Sequence, residues 1–222
     1  MKVMADALDI RLDTTIITDS KQAVHVIVAD VGPLSDDSML TVALNRLSAQ
    51  RQEKVLACKH QLQRQLSAGA GLALDLLLQP FGMAERTMSY CFNEHGKPMF
   101  MNTQDLCFNL SHSGTMVAAA IVKTDNLSMS VGIDIQKMSK WREGVARRVF
   151  SSEDIQQLLH CDDESRDQMF TRLWTIYEAR VKALGTGIKW NDDDNDNHQY
   201  VSNLSYNTFN LEDYFITLCV SL

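Results

Sequence analysis

Basic residues are the scarcer charge in this chain of 222: 21 Lys and Arg stand against 28 Asp and Glu, a formal net charge of −7. General nucleic-acid binding needs clustered positive charge to displace counterions from phosphates, so that class is excluded, although a local basic patch is not. Cysteine is sparse. The five residues Cys58, Cys91, Cys107, Cys161 and Cys219 are odd in number, scattered and never spaced as CxxC. That leaves no zinc knuckle or redox pair and points to free thiols in a reducing, cytoplasmic setting. No stretch approaches the roughly 18 consecutive apolar residues of a membrane helix. Asp6 and Asp9 fall where a signal peptide needs an unbroken apolar run. Linkers of low complexity and short-period repeats are also missing. The acidic segment NDDDNDN, residues 191–197, is not an EF-hand: counted from Asp192, Asn197 and Asn203 stand where Gly and Glu are required. It reads as a solvated loop.

What is present is an ordinary globular composition, 45% hydrophobic and 22% charged, enough for one large domain or two small halves. Residues 23–31 (AVHVIVADV), 115–122 (TMVAAAIV), 128–135 (SMSVGIDI) and 213–222 (DYFITLCVSL) read as strands. Residues 40–79 read as helical and end at Pro80 and Gly82, and NEHGKP reads as a turn. Ser151 is a candidate cap for the helix carrying IQQLL, and residues 165–184 form the strongest helix pattern, stopped by Gly185. Both halves mix helix and strand without strict alternation, which favours an α+β fold over a doubly wound parallel sheet.

Four constellations carry candidate chemistry, each with a plainer reading beside it. In VGIDIQK, residues 131–137, strand geometry puts Asp134 and Gln136 on one face with Ile133 and Ile135 behind. Such a carboxylate suits a hard cation, or is simply a strand-end cap. In LWTIYEARVKALG, Trp174, Glu178 and Lys182 lie along one helix stripe. Glu178 and Lys182 are either an exposed pair worth about 0.2–0.5 kcal/mol or a carboxylate and an ammonium facing phosphate. In FNLSHSG, residues 108–114, Ser111 and His112 are adjacent and point to opposite faces. They are poorly placed as a nucleophile and its base, and no GxSxG elbow supports a hydrolase. Anion binding or a hydrogen-bonded turn fits better. HGKP, residues 95–98, reads alone as a hairpin turn with an exposed Lys97.

Taken together, GKP, FNLSHSG, GID and FxxxWTxxEAxxKxxGxG, in this order and spacing, resemble the 4'-phosphopantetheinyl transferases of the surfactin-synthetase-activating type. The resemblance is clear over residues 96–188. It implies a pseudo-twofold pair of similar α+β halves with coenzyme A and Mg²⁺ in the cleft between them. The divide falls near Asn126, giving an N-terminal half, residues 1–126, with coenzyme A contacts and a metal-binding, catalytic half, residues 127–222. The implied reaction moves the phosphopantetheine arm of coenzyme A onto a serine of an apo acyl or peptidyl carrier protein and releases adenosine 3',5'-bisphosphate. Fatty-acid, polyketide and nonribosomal-peptide carriers are all open.

By this resemblance Asp134 and Glu178 are Mg²⁺ ligands, Lys182 contacts the diphosphate, and Glu178 or a metal-bound water takes the serine proton. Gly96, Lys97, Pro98, Ser111 and His112 match coenzyme A contacts. Gln136 stands where many members carry a third metal-binding Glu, which implies weaker metal binding. Tyr177 replaces the usual Lys before Glu178. Arg64, with Lys59 and His60 as stand-ins, is the candidate for the coenzyme A 3'-phosphate. The chain is expected to act as a monomer, without nucleic acid or membrane. Carrier proteins are typically acidic, and residues 137–148 hold Lys137, Lys140, Arg142, Arg147 and Arg148 against Glu143 alone, a candidate docking stretch. The whole acidic excess sits in Asp162, Asp163, Glu164, Asp192, Asp193, Asp194 and Asp196. Two other readings compete: a degenerate member that binds coenzyme A or a carrier without turnover, and a Mg²⁺-dependent phosphodiester hydrolase.

Overall fold

The computed structural model describes residues 7–17, 22–126, 128–188 and 204–221, and the acidic segment at residues 191–197 lies outside the described residues. Strands β1 (Asp9–Ile17), β2 (Ala23–Asp30), β5 (Leu106–Ser113) and β6 (Met116–Lys123) form an antiparallel sheet ordered β1-β2-β6-β5. Both central strands are almost continuously apolar because both faces are covered. Val24, Val26, Val28, Ala118, Ala120 and Val122 face a second sheet, while Ile27, Ala29, Val117, Ala119 and Ile121 join a core with the helical layer.

The helical stretch expected over residues 40–79 resolves into α1 (Asp37–Leu44), α2 (Ala49–Ala57) and α3 (Gln61–Leu78). The breaks are capping events. The Asp36 carboxylate accepts from the backbone N–H groups of Ser38 and Met39, and the Ser48 hydroxyl accepts from that of Arg51. Helix α3 is the long one, and Leu66, Leu72, Leu74, Leu77 and Leu78 bury its apolar side against the first sheet. A short hairpin follows, β3 (Tyr90–Phe92) and β4 (Pro98–Phe100), turned by the NEHGK segment as expected.

The second sheet contains β7 (Ser130–Lys137), β8 (Leu204–Leu211) and β9 (Tyr214–Ser221) in the order β7-β9-β8, again antiparallel. Strands β1 and β8 were not legible beforehand. Helices α4 (Glu143–Val149) and α5 (Ser152–His160) pack on the first half of α6 (Asp163–Leu184) around Phe150, Leu158 and Phe170. Ser151 starts α5 with a full capping box, its partner being Asp154. The layers therefore run α3, first sheet, second sheet, α6, a mixed α+β architecture with antiparallel sheets. No helix among the described residues is long and apolar enough to cross a membrane.

Two features bring the sheets into register. Along the β5–β7 seam, side chains of one strand serve the backbone of the other. Asn109 Oδ1 accepts from Ile133 N at 2.9 Å, Ser111 Oγ from Ile135 N at 3.3 Å, and Ser113 Oγ from Lys137 N at 3.0 Å. The alternation of FNLSHS supplies these acceptors at every second position. Behind β7, Gly132 lets α6 approach at backbone distance: a Cβ there would sit 2.1 Å from the Ala179 carbonyl oxygen and 2.3 Å from Ala183 N. Neither backbone atom can turn aside. Gly132→Ala is expected to push α6 off the sheet and destabilise the fold by about 3 kcal/mol, measured by urea unfolding; a change within the error of the midpoint would show that the contact yields.

Candidate active site

Strand β7 and helix α6 meet over Gly132, and just beyond that contact each contributes a carboxylate. Asp134 is buried, with its side chain 1% exposed, and it faces α6 because its neighbours Ile133 and Ile135 fill the intersheet core. Lys182 Nζ donates to Asp134 Oδ1 at 2.6 Å and to Ser111 Oγ at 2.9 Å, and lies 3.9 Å from Glu178 Oε2. Ser111 Oγ in turn donates to Asp134 Oδ1 at 2.8 Å. The exposed-pair reading of Glu178 and Lys182 fails, since their side chains are only 16% and 26% accessible. Glu178 is held above its ordinary carboxylate value by burial and then by the Asp134 charge, with Lys182 offsetting in part. Gln136 shares the Asp134 face as expected, and its Nε2 donates to Asp134 Oδ2 at 3.1 Å.

A buried and a partly buried carboxylate served by one ammonium leave a pocket of hard oxygen donors. Among the described residues no cluster of three or more His, Cys, Asp or Glu forms a metal cage. That donor set fits Mg²⁺, which takes one or two carboxylates and completes its shell with water and phosphate oxygens. Asp134 and Glu178 are the residues able to hold it. Gln136 presents its amide nitrogen here, so its carbonyl oxygen joins only after the amide turns over. Tyr177 instead packs against Trp174, ring centroids 5.8 Å apart, in the core under α4 and α5.

Lys97 is not the exposed hairpin lysine of the plainer reading. Its ammonium turns inward and donates to Ser130 Oγ, to the Ala183 carbonyl at 2.9 Å and to the Val131 carbonyl at 3.2 Å. Burial lowers its pKa from 10.5 to about 8, with Cys107 and Cys219 acting in the opposite direction. A base depressed in the folded state makes stability rise with pH between the folded and unfolded values, because there the unfolded chain binds the extra proton. Relative to Lys97→Met, the wild-type chain is therefore expected to gain up to about 3 kcal/mol between pH 8 and 10.5 and nothing below pH 8. Paired denaturation curves across that window check it; parallel pH profiles would contradict it.

A cavity of about 290 Å³ lies between α2, α3 and the hairpin, lined by Arg51, Lys54, Ser67, Gly96, Pro98 and His112 among others. Lys54 is held below its ordinary value by desolvation and by the Arg51 charge. His112 is lowered by burial and by the charges of Lys182 and Lys54. The Ser67 hydroxyl, buried on this wall, has no partner among the described residues. Crowded cations beside an unsatisfied hydroxyl suit an anionic ligand. A neighbouring cavity of about 210 Å³ shares Gly96, Pro98 and Leu110 with the first and reaches Lys182. A third cavity, about 510 Å³, is lined by Phe100, Phe108, Met129, Leu184 and others, and contains neither candidate carboxylate.

The expected residues thus divide. Asp134, Gln136, Glu178, Lys182 and Ser111 converge, while Gly96, Pro98 and His112 line the adjoining cavity. Arg64 is exposed and its Nε donates to the Cys58 carbonyl at 2.8 Å; neither it nor Lys59 nor His60 lines that cavity. Arg51 and Lys54 do, and sequence reasoning missed them. The available signal was a pair of cations one turn apart on a helix begun by Ser48. In the basic stretch, Lys137 pairs with Asp213, Arg147 with Glu143, and Arg142 lies over the Phe170 ring. Lys140 and Arg148 have no ion pair among the described residues.

Residues 130–219, which carry Asp134, Gln136, Glu178 and Lys182, match the model of the 4'-phosphopantetheinyl transferase superfamily. The match to this superfamily model is thus confined to the C-terminal part of the chain that carries the candidate site. A 4'-phosphopantetheinyl transferase of Bacillus subtilis is 29% identical over 147 residues, 64% of this chain and 62% of that protein. Sfp of Bacillus subtilis strain 168 is 29% identical over 120 residues, 54% of this chain and 51% of Sfp. AcpT of Escherichia coli K12 is 32% identical over 128 residues, 58% of this chain and 64% of AcpT. The chain therefore spans between half and two thirds of the length of these relatives.

Proposed function

We propose that the chain transfers the 4'-phosphopantetheine arm of coenzyme A to a serine of an apo acyl or peptidyl carrier protein, with Mg²⁺, releasing adenosine 3',5'-bisphosphate. The observation that carries this reading is the junction of β7 and α6, where Asp134 and Glu178 face one ammonium beside a cation-lined cavity. The superfamily match over the same residues and the names of the relatives support it. Two sheets, each backed by one long helix and joined along β5 and β7, support a pseudo-twofold relation between the halves.

In this reading Arg51, Lys54 and His112 receive the nucleotide end of coenzyme A, with the 3'-phosphate between the two cations, and Gly96 and Pro98 bound the base. The diphosphate then runs toward Lys182 through the adjoining cavity. Mg²⁺, held by Asp134 and Glu178, supplies charge neutralisation on the diphosphate and the leaving nucleotide. Lys182 moves from Asp134 onto a diphosphate oxygen and steadies the charge that develops there. The carrier hydroxyl attacks the phosphorus bearing the pantetheine arm, the bond to the nucleotide phosphate breaks, and Glu178 takes the hydroxyl proton. The basic stretch at residues 137–148 follows directly on the strand of Asp134, and its Lys140 and Arg148, without an ion pair among the described residues, suit an acidic carrier. Five free thiols fit the cytoplasm.

The test is release of adenosine 3',5'-bisphosphate from coenzyme A, followed by chromatography. Release that requires both Mg²⁺ and an apo carrier supports transfer; release without any acceptor would identify a phosphodiester hydrolase instead. The second reading, a member that binds without turnover, rests on Gln136 turning its amide nitrogen to Asp134. It requires coenzyme A binding with no release even at high Mg²⁺. Gln136→Glu then separates the two, since a third carboxylate raises Mg²⁺ affinity in either case but restores turnover only in the second.

A further inference from the structure

A second buried acidic network, unused by the chemistry above, lies under the cation-lined cavity. Glu85 is wholly buried in the turn after α3, and each of its carboxylate oxygens is occupied. Oε2 accepts from Ser48 N at 2.5 Å, while Oε1 accepts from Tyr90 OH at 2.7 Å and from Ser48 Oγ at 3.0 Å. Oε1 also lies 3.6 Å from Arg51 Nε. The backbone of Glu85 is anchored in its turn, its N–H donating to Asp75 Oδ1 at 2.9 Å, and Asp75, itself buried, is bridged to Arg46 at 2.9 Å. Arg51 is confined from a second side, its guanidinium carbon 5.8 Å from the centre of the Tyr90 ring. Its side chain is only 10% exposed, yet it lines the cavity with Lys54 and His112.

A buried carboxylate is costly unless several donors hold it, so this one is fixed in place. The contact to Arg51 is made at Nε, the inner nitrogen of the fork. An arginine held at that edge, with its ring neighbour on one face, is fixed in the plane in which it meets an anion. We infer that Glu85 is a positioning residue: it acts through Arg51 to fix the cation that recognises the 3'-phosphate of coenzyme A. The inference rests on the reading of this cavity as the nucleotide site. It also has a sign that charge alone does not give. Removing the Glu85 charge leaves more net positive charge facing the cavity, so without a positioning role an anion binds as tightly or tighter. If Glu85 sets the geometry of Arg51, the anion binds more weakly.

The experiment is calorimetric binding of coenzyme A and of dephospho-coenzyme A, which lacks the 3'-phosphate, to the full chain and to Glu85→Gln, Glu85→Asp and Arg51→Met. Wild type is expected to prefer coenzyme A, and both Glu85 variants to lose that preference by about tenfold with dephospho-coenzyme A affinity unchanged. In the Arg51→Met background the Glu85 substitutions are expected to change nothing further. Glu85→Asp keeps the charge but draws it back by one methylene, so it tests positioning in a variant with an intact buried charge. A retained or strengthened preference for coenzyme A in the Glu85 variants would overturn the inference while leaving the cavity assignment in place. Equal binding of the two ligands by wild type would overturn the cavity assignment, and the inference with it. A purely structural role moves both ligands together, and that outcome also counts against it.

Discussion

Asp134→Asn and Glu178→Gln are each expected to lower the rate of carrier modification by about 10³-fold or more at saturating coenzyme A. Both amides keep the shape of the side chain they replace, so the fold should survive. What they remove is half of the anionic donor set. Asp134 is the more demanding position, because Lys182 Nζ, Ser111 Oγ and Gln136 Nε2 all donate to it. An amide nitrogen facing Lys182 leaves that ammonium without its anion, and an amide oxygen binds Mg²⁺ less strongly than a carboxylate. Glu178 lies one turn before Lys182 on α6 and makes the longer 3.9 Å contact, so Glu178→Gln should cost less stability than Asp134→Asn. Rates read from the carrier's change in mass, beside melting curves of each variant, check both expectations. A variant with a native melting curve and more than a tenth of the wild-type rate would place the metal on other residues.

Lys182→Met is expected to lower the rate by about 10²–10³-fold, since it removes the cation that meets the diphosphate as charge develops there. It should also change stability in a way that depends on Mg²⁺. Asp134 is 1% exposed and loses its only ion-pair partner among the described residues, and breaking a buried pair typically costs about 3–5 kcal/mol. A divalent cation bound by Asp134 and Glu178 replaces the missing charge. Thermal unfolding should therefore show a low melting temperature for Lys182→Met without Mg²⁺ and a larger Mg²⁺-induced rise than in wild type. Equal rises in the two proteins would mean that Lys182 and the metal do not share Asp134.

The strands and helices with strong local signals were legible: β2, β6, β7, β9, the turn at NEHGK, the Ser151 cap and the Gly185 stop. β1 and β8 were not, because each is an edge strand with mixed burial and no continuous apolar run. Asp134 and Gln136 sharing a face followed from strand geometry alone. Glu178 and Lys182 did not declare themselves, because an i, i+4 pair looks the same on an exposed helix and on one pressed against a sheet through Gly132. FNLSHSG was half legible. Opposite faces for Ser111 and His112 were expected, but not that Asn109, Ser111 and Ser113 serve the backbone of β7. Arg51 and Lys54 were missed because α2 alone reads as a polar surface helix. Only packing against α3 and the hairpin turns those cations into a cavity wall. The plainer reading of HGKP alone, an exposed Lys97, fails for the same kind of reason, since a hairpin lysine bonds inward only when another element brings carbonyls to it.

The most direct measurement is the intact mass of several apo carrier proteins after incubation with this chain, coenzyme A and Mg²⁺. The expected result is the gain of one phosphopantetheine arm on at least one carrier, lost when Mg²⁺ is chelated and lost when the acceptor serine is replaced by alanine. Unchanged mass across fatty-acid, polyketide and nonribosomal-peptide carriers, with coenzyme A demonstrably bound, would contradict it.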